Sequence, residues 1–166
     1  MSSATAPTCG CGQILQKPGF SHAVCEGCGD YWFPESIEAS QDGIVPQNRS
    51  TPFSCPRCSV DLEVGKIGKT EVCYCPTCRG FVIDSESLGG VIHAYRSNYQ
   101  GPEDRPTPAD QRELDVHGMC PACFAIMEAH HYGGPGNIVL DTCIGCKLAW
   151  LDHGELAKIM RAPGER

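Results

Sequence analysis

The sequence predicts a small metal-stabilised α+β fold made of three repeats, on three observations. Thirteen of its 166 residues are cysteine, mostly in Cys-x-x-Cys pairs. The segments "CEGCGDYWFPESIEA", "CPTCRGFVIDSESLGGVI" and "CIGCKLAWLDHGELAKIM" align: two thiols, a short apolar strand, an acid or proline, then a helical pattern. Leu, Ile, Val and Phe are sparse beside 19 Gly and 13 Pro, so no single large core is expected.

The cysteines are paired twice over. Cys-x-x-Cys recurs at Cys25/Cys28, Cys55/Cys58, Cys75/Cys78, Cys120/Cys123 and Cys143/Cys146, and Cys9/Cys11 is a version one residue shorter. Within each repeat two such turns are separated by 13, 16 or 19 residues, the length of a hairpin. The odd count and a start, "MSSATAPT", without a basic or an apolar region argue for metal binding in the cytoplasm over a secreted disulfide scaffold. No apolar run approaches the roughly 18 residues that cross a bilayer, so membrane insertion is not expected.

A Cys-x-x-Cys turn sets two sulfurs on one side of the backbone, and two facing turns complete the tetrahedral site that structural Zn²⁺ prefers. The expected ligand sets are Cys9, Cys11, Cys25 and Cys28; Cys55, Cys58, Cys75 and Cys78; Cys120, Cys123, Cys143 and Cys146. His22, three residues before Cys25, is the alternative to Cys9. Repeats of about 35 to 50 residues fold poorly unaided, so the metal should supply much of the folding free energy. Four thiolates leave no position for water, which makes the zinc structural rather than hydrolytic. Iron is the minor alternative, since it also accepts four thiolates, as in rubredoxin-like electron carriers.

The stretch "CPACFAIMEAHHYGGPGNIVLDTCIGCKLAWLDHGELAKIM" resembles the bacterial transcription factor IIB-type zinc-ribbon family: Cys-Pro-x-Cys, a hairpin, Cys-x-x-Cys, a Trp-Leu-Asp strand end, and Gly-Glu-Leu opening a helix. The second repeat matches in its cysteines, Pro56, Pro76, Gly80 and Asp84 but lacks the Trp, and the first is degenerate. The resemblance implies three zinc ribbons, each a β-hairpin with two Cys knuckles followed by a short strand and helix. Many members of the family have no assigned activity.

Asp152 and Glu155 have the spacing of a capping box, so a helix should begin near His153 with Leu156, Ile159 and Met160 on its apolar face. Asp84 should open the second helix, with Leu88, Val91, Ile92 and Tyr95 as its stripe and Gly89 and Gly90 weakening it. Trp150 and Val82 should lie on the strands beneath. These faces read as a small core covering each ribbon.

Ribbons are expected at 1–40, 53–99 and 118–162, with linkers at 41–52 and 100–117 rich in Pro, Gly, Asn and Asp. "ADQRELDV" can form a short helix capped near Asp110 within the second linker. Semi-extended connectors leave the placement of the ribbons open, and direct packing of repeats also fits.

Other features are weaker. "GKIGKT" (65–70) ends like a phosphate-binding loop, but Glu63 stands where that motif needs glycine, so it reads as a β-turn. His130 and His131, where the third hairpin should turn, read as an exposed loop rather than a second metal site. Cys73, the thirteenth cysteine, reads as a small buried residue; the sharper alternative is an oxidisable thiol that would start zinc ejection.

The formal charge is −7. Three Zn(Cys)₄ centres at −2 each would take it to about −13, a poor match for phosphate. Only the second repeat offers a candidate basic surface, through Arg57, Lys66, Lys69 and Arg79. Nucleic-acid binding therefore ranks behind a non-enzymatic adaptor that presents ribbon edges and loops to a protein partner. No motif for a hydrolase, nucleotide-binding site or dinucleotide fold is present, so catalysis is not expected.

Overall fold

The computed structural model describes residues 7–15 and 22–164. The leading segment 1–6, which bears on export, and the tip of the first spacer, 16–21, lie outside the described residues. Among the described residues the fold is α+β and sheet-rich, with two α-helices. The chain divides into two units, Met1–Ser36 and Ile37–Arg166.

The first unit contains a two-stranded antiparallel pair, β1 (Ala23–Val24) and β2 (Tyr31–Trp32), and an isolated bridge from Thr8 to Ile14. Among its described residues the buried apolar ones are Leu15, Ala23 and Cys25, with Cys9 and Trp32 packed beside them. The helix expected after Phe33-Pro34 does not form there. A single 3₁₀ turn, Ile37–Ala39, follows, and it belongs to the second unit.

The second unit is one antiparallel sheet of seven strands in the order β3-β4-β5-β6-β9-β8-β7. These are β3 (Ile44–Ser54), β4 (Asp61–Ile67), β5 (Thr70–Tyr74), β6 (Phe81–Asp84), β7 (Glu128–His131), β8 (Val139–Cys143) and β9 (Leu148–Leu151). Helix α1 (Ser85–Asn98) follows β6 and helix α2 (Glu155–Arg161) follows β9. The second and third repeats are thus halves of one sheet, joined where β6 pairs with β9. Val82 and Trp150 occupy equivalent places in the two repeats and are paired with each other, which gives the join a local two-fold character. The sequence of each joining strand fits this position: Phe81, Val82 and Ile83 are all buried, as are Ala149, Trp150 and Leu151, so both faces are covered.

Residues 41–52 are not a free linker. Most of them lie in β3, an edge strand on β4. Its prolines misled because an edge strand does not need every N–H: Pro46 and Pro52 are tolerated there, and irregularities between Pro46 and Arg49 and between Ser50 and Ser54 absorb the misfit. Thr51 Oγ1 also donates to the Leu62 carbonyl at 2.9 Å. Residues 100–117 likewise return to the third repeat. The Asp104 N–H donates to the Arg161 carbonyl at 2.9 Å, Asn137 Nδ2 donates to the Thr107 carbonyl at 2.9 Å, and a 3₁₀ helix, Gln111–Asp115, has Asp110 as its N-cap.

One core serves both halves of the sheet. Ile44, Ile67, Phe81 and Ile83 meet Leu88, Val91 and Ile92 of α1 and Leu156 and Ile159 of α2, with Tyr95 partly buried beside them. The helical stripes expected from the sequence are the faces that are buried, although Met160 is only half-buried. No helix among the described residues is long and apolar enough to cross a membrane.

Candidate metal centres

Twelve of the thirteen cysteines gather into three tetrads, Cys9/Cys11/Cys25/Cys28, Cys55/Cys58/Cys75/Cys78 and Cys120/Cys123/Cys143/Cys146, with the sulfurs of each within 4.8 Å of one another. Each tetrad is built from two similar turns. In the first turn of the second repeat the Cys55 N–H donates to the Val60 carbonyl and the Ser59 N–H to the Cys55 carbonyl. Cys75 with Gly80 and Arg79, Cys120 with Ala125 and Phe124, and Cys25 with Asp30 and Gly29 repeat that pattern. The turn demands a left-handed residue after its second cysteine: Ser59, Arg79, Phe124 and Lys147 have φ of 59°, 60°, 60° and 54°. Gly29 and Gly12 take the same region without the usual side-chain penalty.

The short Cys9-Gly10-Cys11 turn closes by the same logic with one residue fewer. The Cys9 N–H donates to Gln13 at 2.9 Å and Gly12 N–H donates to Cys9 at 2.8 Å. Cys9 therefore sits in the tetrad, and His22 does not. His22 lies against Tyr31 and Phe33 instead, with ring centroids 6.0 and 5.6 Å away.

The sulfur spacing fits a tetrahedral cation. Neighbouring sulfurs in the second tetrad are 3.3, 3.4 and 3.6 Å apart, those in the first 3.4 and 3.6 Å, and Cys123 and Cys143 are 3.6 Å apart. Four sulfurs at ~2.3 Å from one ion would be separated by about 3.8 Å, whereas disulfide-bonded sulfurs lie about 2.05 Å apart. Backbone N–H groups point at the sulfurs: Arg57 N–H to Cys55 at 3.4 Å, and Thr77 and Cys78 N–H to Cys75 at 3.3 and 3.4 Å. Such donors favour thiolates.

Four crowded thiols cannot all ionise without a cation. In the third tetrad the hydrogen bond from the Ala125 backbone leads in lowering the Cys123 thiol to about 7, while the hydrogen bond with Cys123 leads in pushing Cys146 up to about 12. In the second, the hydrogen bond between Cys55 and Cys75 raises the former to about 12 and lowers the latter. A dication at the centre removes this conflict, because it stabilises four thiolates at once. The donor set thus suits a metal ion, and all thirteen thiols are free of disulfides.

Cys73 stands apart on β5, opposite Val64 and Val82. Burial, aided by Glu71, pushes its thiol up, the opposite of what an oxidant sensor needs.

Around the second and third centres lies an ionic network that was not foreseen. Arg57, inside the first turn of the second repeat, donates from Nη2 to Asp141 on β8 and to Asp152 Oδ2 at 3.0 Å, and from Nε to Asp152 Oδ1 at 3.2 Å. Trp150 Nε1–H donates to the same carboxylate at 2.8 Å. Asp152 is therefore the anchor that joins the repeats, and it does not cap the helix. Of the four basic residues considered for phosphate contact, Arg57 is committed to these carboxylates, while Lys66 and Lys69 stand exposed. Arg79 is half-buried in its cysteine turn. "GKIGKT" forms the β4–β5 turn, with Gly68 at φ 60° and Ile67 paired to Thr70. His130 and His131 are not in a loop: they end β7, paired with Leu140 and Val139, and His130 Nε2 is 3.2 Å from Thr142 Oγ1.

Helix α2 begins at Glu155, after Gly154 at φ 86°. Only half of the expected capping box survives: the Asp152 N–H donates to Glu155 Oε2 at 2.7 Å. The cap comes from Asp42, whose carboxylate accepts from the N–H groups of Gly154 at 2.6 Å and Ala157 at 3.0 Å. At the other end Arg96 of α1 donates to the carbonyls of Ile159 at 2.6 Å and Ala162 at 3.0 Å. In the second repeat the expectation holds, as the Ser87 N–H donates to Asp84 at 2.8 Å.

No family model matches the chain, and comparison with curated proteins and with solved structures returned no match.

Proposed function

We propose that this protein is a non-enzymatic zinc-binding adaptor: three Cys₄ zinc ribbons of the transcription factor IIB-related type, folded by their metal, that present a surface to a protein partner. The observation that carries the reading is the consumption of twelve cysteines in three closed tetrads. Closed thiolate coordination leaves no position for a substrate, so the metal stabilises rather than catalyses. Cysteines arranged as metal ligands rather than as disulfide partners fit a reducing compartment such as the cytoplasm. The commitment of Arg57 to Asp141 and Asp152 takes one of the four candidate cations away from any phosphate surface, and nucleic-acid binding loses ground accordingly.

The test is a pair of measurements on the purified full chain. Elemental analysis should find zinc in a colourless protein, and binding to single- and double-stranded DNA and RNA should be absent at physiological salt. A red, iron-containing protein would point to electron transfer, and tight nucleic-acid binding with a steep salt dependence would reverse the ranking.

A further inference from the structure

The outer surface of the third centre is apolar where the fold does not require it. Phe124, Ile126 and Ile144 are 65%, 75% and 78% exposed, and Val116 and Met119 are 50% and 54% exposed. Met119 and Ile126 are bridge partners beside the first cysteine turn, and Ile144 lies in the turn facing it. The second repeat builds the same turn from polar residues. Its bridging pair is Ser54 and Asp61 in place of Met119 and Ile126, and its left-handed residue is Ser59 in place of Phe124. A left-handed Phe with its ring in water is costly on both counts. Exposed apolar side chains grouped in this way mark a contact surface.

The charge beside this patch selects its occupant. Asp115 and Glu128 are exposed next to it, and no basic side chain among the described residues engages either of them. The nearby cations are already held, Arg112 by Asp110 and Lys147 by Glu86. A second copy of the chain would bring the same acids to the contact, and an anionic bilayer would be repelled. We propose that this face of the third repeat docks a protein segment that combines apolar anchors with Lys or Arg. This rests on the adaptor reading and names the partner's chemistry.

The test pans displayed random peptides of about 16 residues against the full metal-loaded chain. Enriched peptides should pair apolar residues with Lys or Arg and bind more weakly as salt rises. Affinity should fall at least about tenfold in the double variant Ile126→Ser/Ile144→Ser, and also in Asp115→Lys/Glu128→Lys, which keeps the apolar residues. All four positions lie at the surface, and metal content with circular dichroism checks that each variant is folded. Enriched peptides that are acidic or that bind the first variant unchanged would overturn the surface while sparing the adaptor. Dimerisation or phosphatidylserine-vesicle binding abolished by Ile126→Ser/Ile144→Ser would overturn it in favour of another occupant. No enrichment at all would sink both readings.

Discussion

Asp42 is fully buried, lies between the 3₁₀ turn and β3, and makes its contacts more than a hundred residues away in sequence. Its two N–H donors favour the carboxylate, but burial outweighs them and pushes the carboxyl up to about 6. Arg161 and Lys158 pull the other way, and His153 Nδ1 lies 3.5 Å from Asp42 Oδ2. Because the folded value lies above the unfolded one, the folded protein holds more protons between about pH 4 and 6, and this contribution to stability falls as pH rises. Comparing wild type with Asp42→Asn cancels the metal's own pH dependence. Between pH 5 and 7 wild type should lose about 1 kcal/mol relative to the variant, read from denaturant melts; a constant or widening advantage for wild type would contradict the assignment. Asp42→Ala should cost about 1–2 kcal/mol near pH 5 through loss of the cap, and less near pH 7.

At the scale of elements, α2 has seven residues, too few to persist alone, and is held by side chains from other elements at both ends. The seam between β6 and β9 is equally particular. A Cβ on Gly80 would meet the Trp150 ring at 2.4 Å, so Gly80→Ala should cost roughly 1–3 kcal/mol by overpacking. Much of that loss should be recovered in a Trp150→Phe background, and an equal loss in both backgrounds would show that the clash is not the cause. Arg57→Met should cost about 3 kcal/mol because it strands Asp141, whose side chain is only 4% exposed. Adding Asp141→Asn should restore part of the loss in thermal melts, and no recovery would mean that the ion pair is not what couples the repeats.

The same elements explain what could be read in advance. The tetrads were legible because a cysteine turn is local, and the stripe of α1 because Leu88, Val91 and Ile92 follow helical spacing. The edge strand β3 was hidden by Pro46 and Pro52, which exclude a central strand but not a bulged edge. Asp42, Arg57 and Arg96 act across long sequence separations, where no local pattern marks them. The join between repeats did leave a signal. "FVID" and "LAWL" lack the alternation of a half-exposed strand, and each sits in the middle of the sheet.

For the whole molecule, the two units should depend on metal to different degrees. The second has a core of fifteen buried apolar residues, while among the described residues of the first the core is Leu15, Ala23 and Cys25. Stepwise chelation followed by NMR should therefore erase the signals of Ala23 and Trp32 before those of Leu88 and Ile159; simultaneous loss would contradict this difference. The central claim is that three closed tetrads hold a divalent ion each and that the fold depends on them. Native mass spectrometry of the intact chain, run beside circular dichroism before and after chelation, tests it most directly. The expected result is three metal ions per chain, with loss of ordered structure as they are removed and its return when zinc is restored. A chain that carries no metal, or one that keeps its spectrum and melting temperature without it, would contradict the claim.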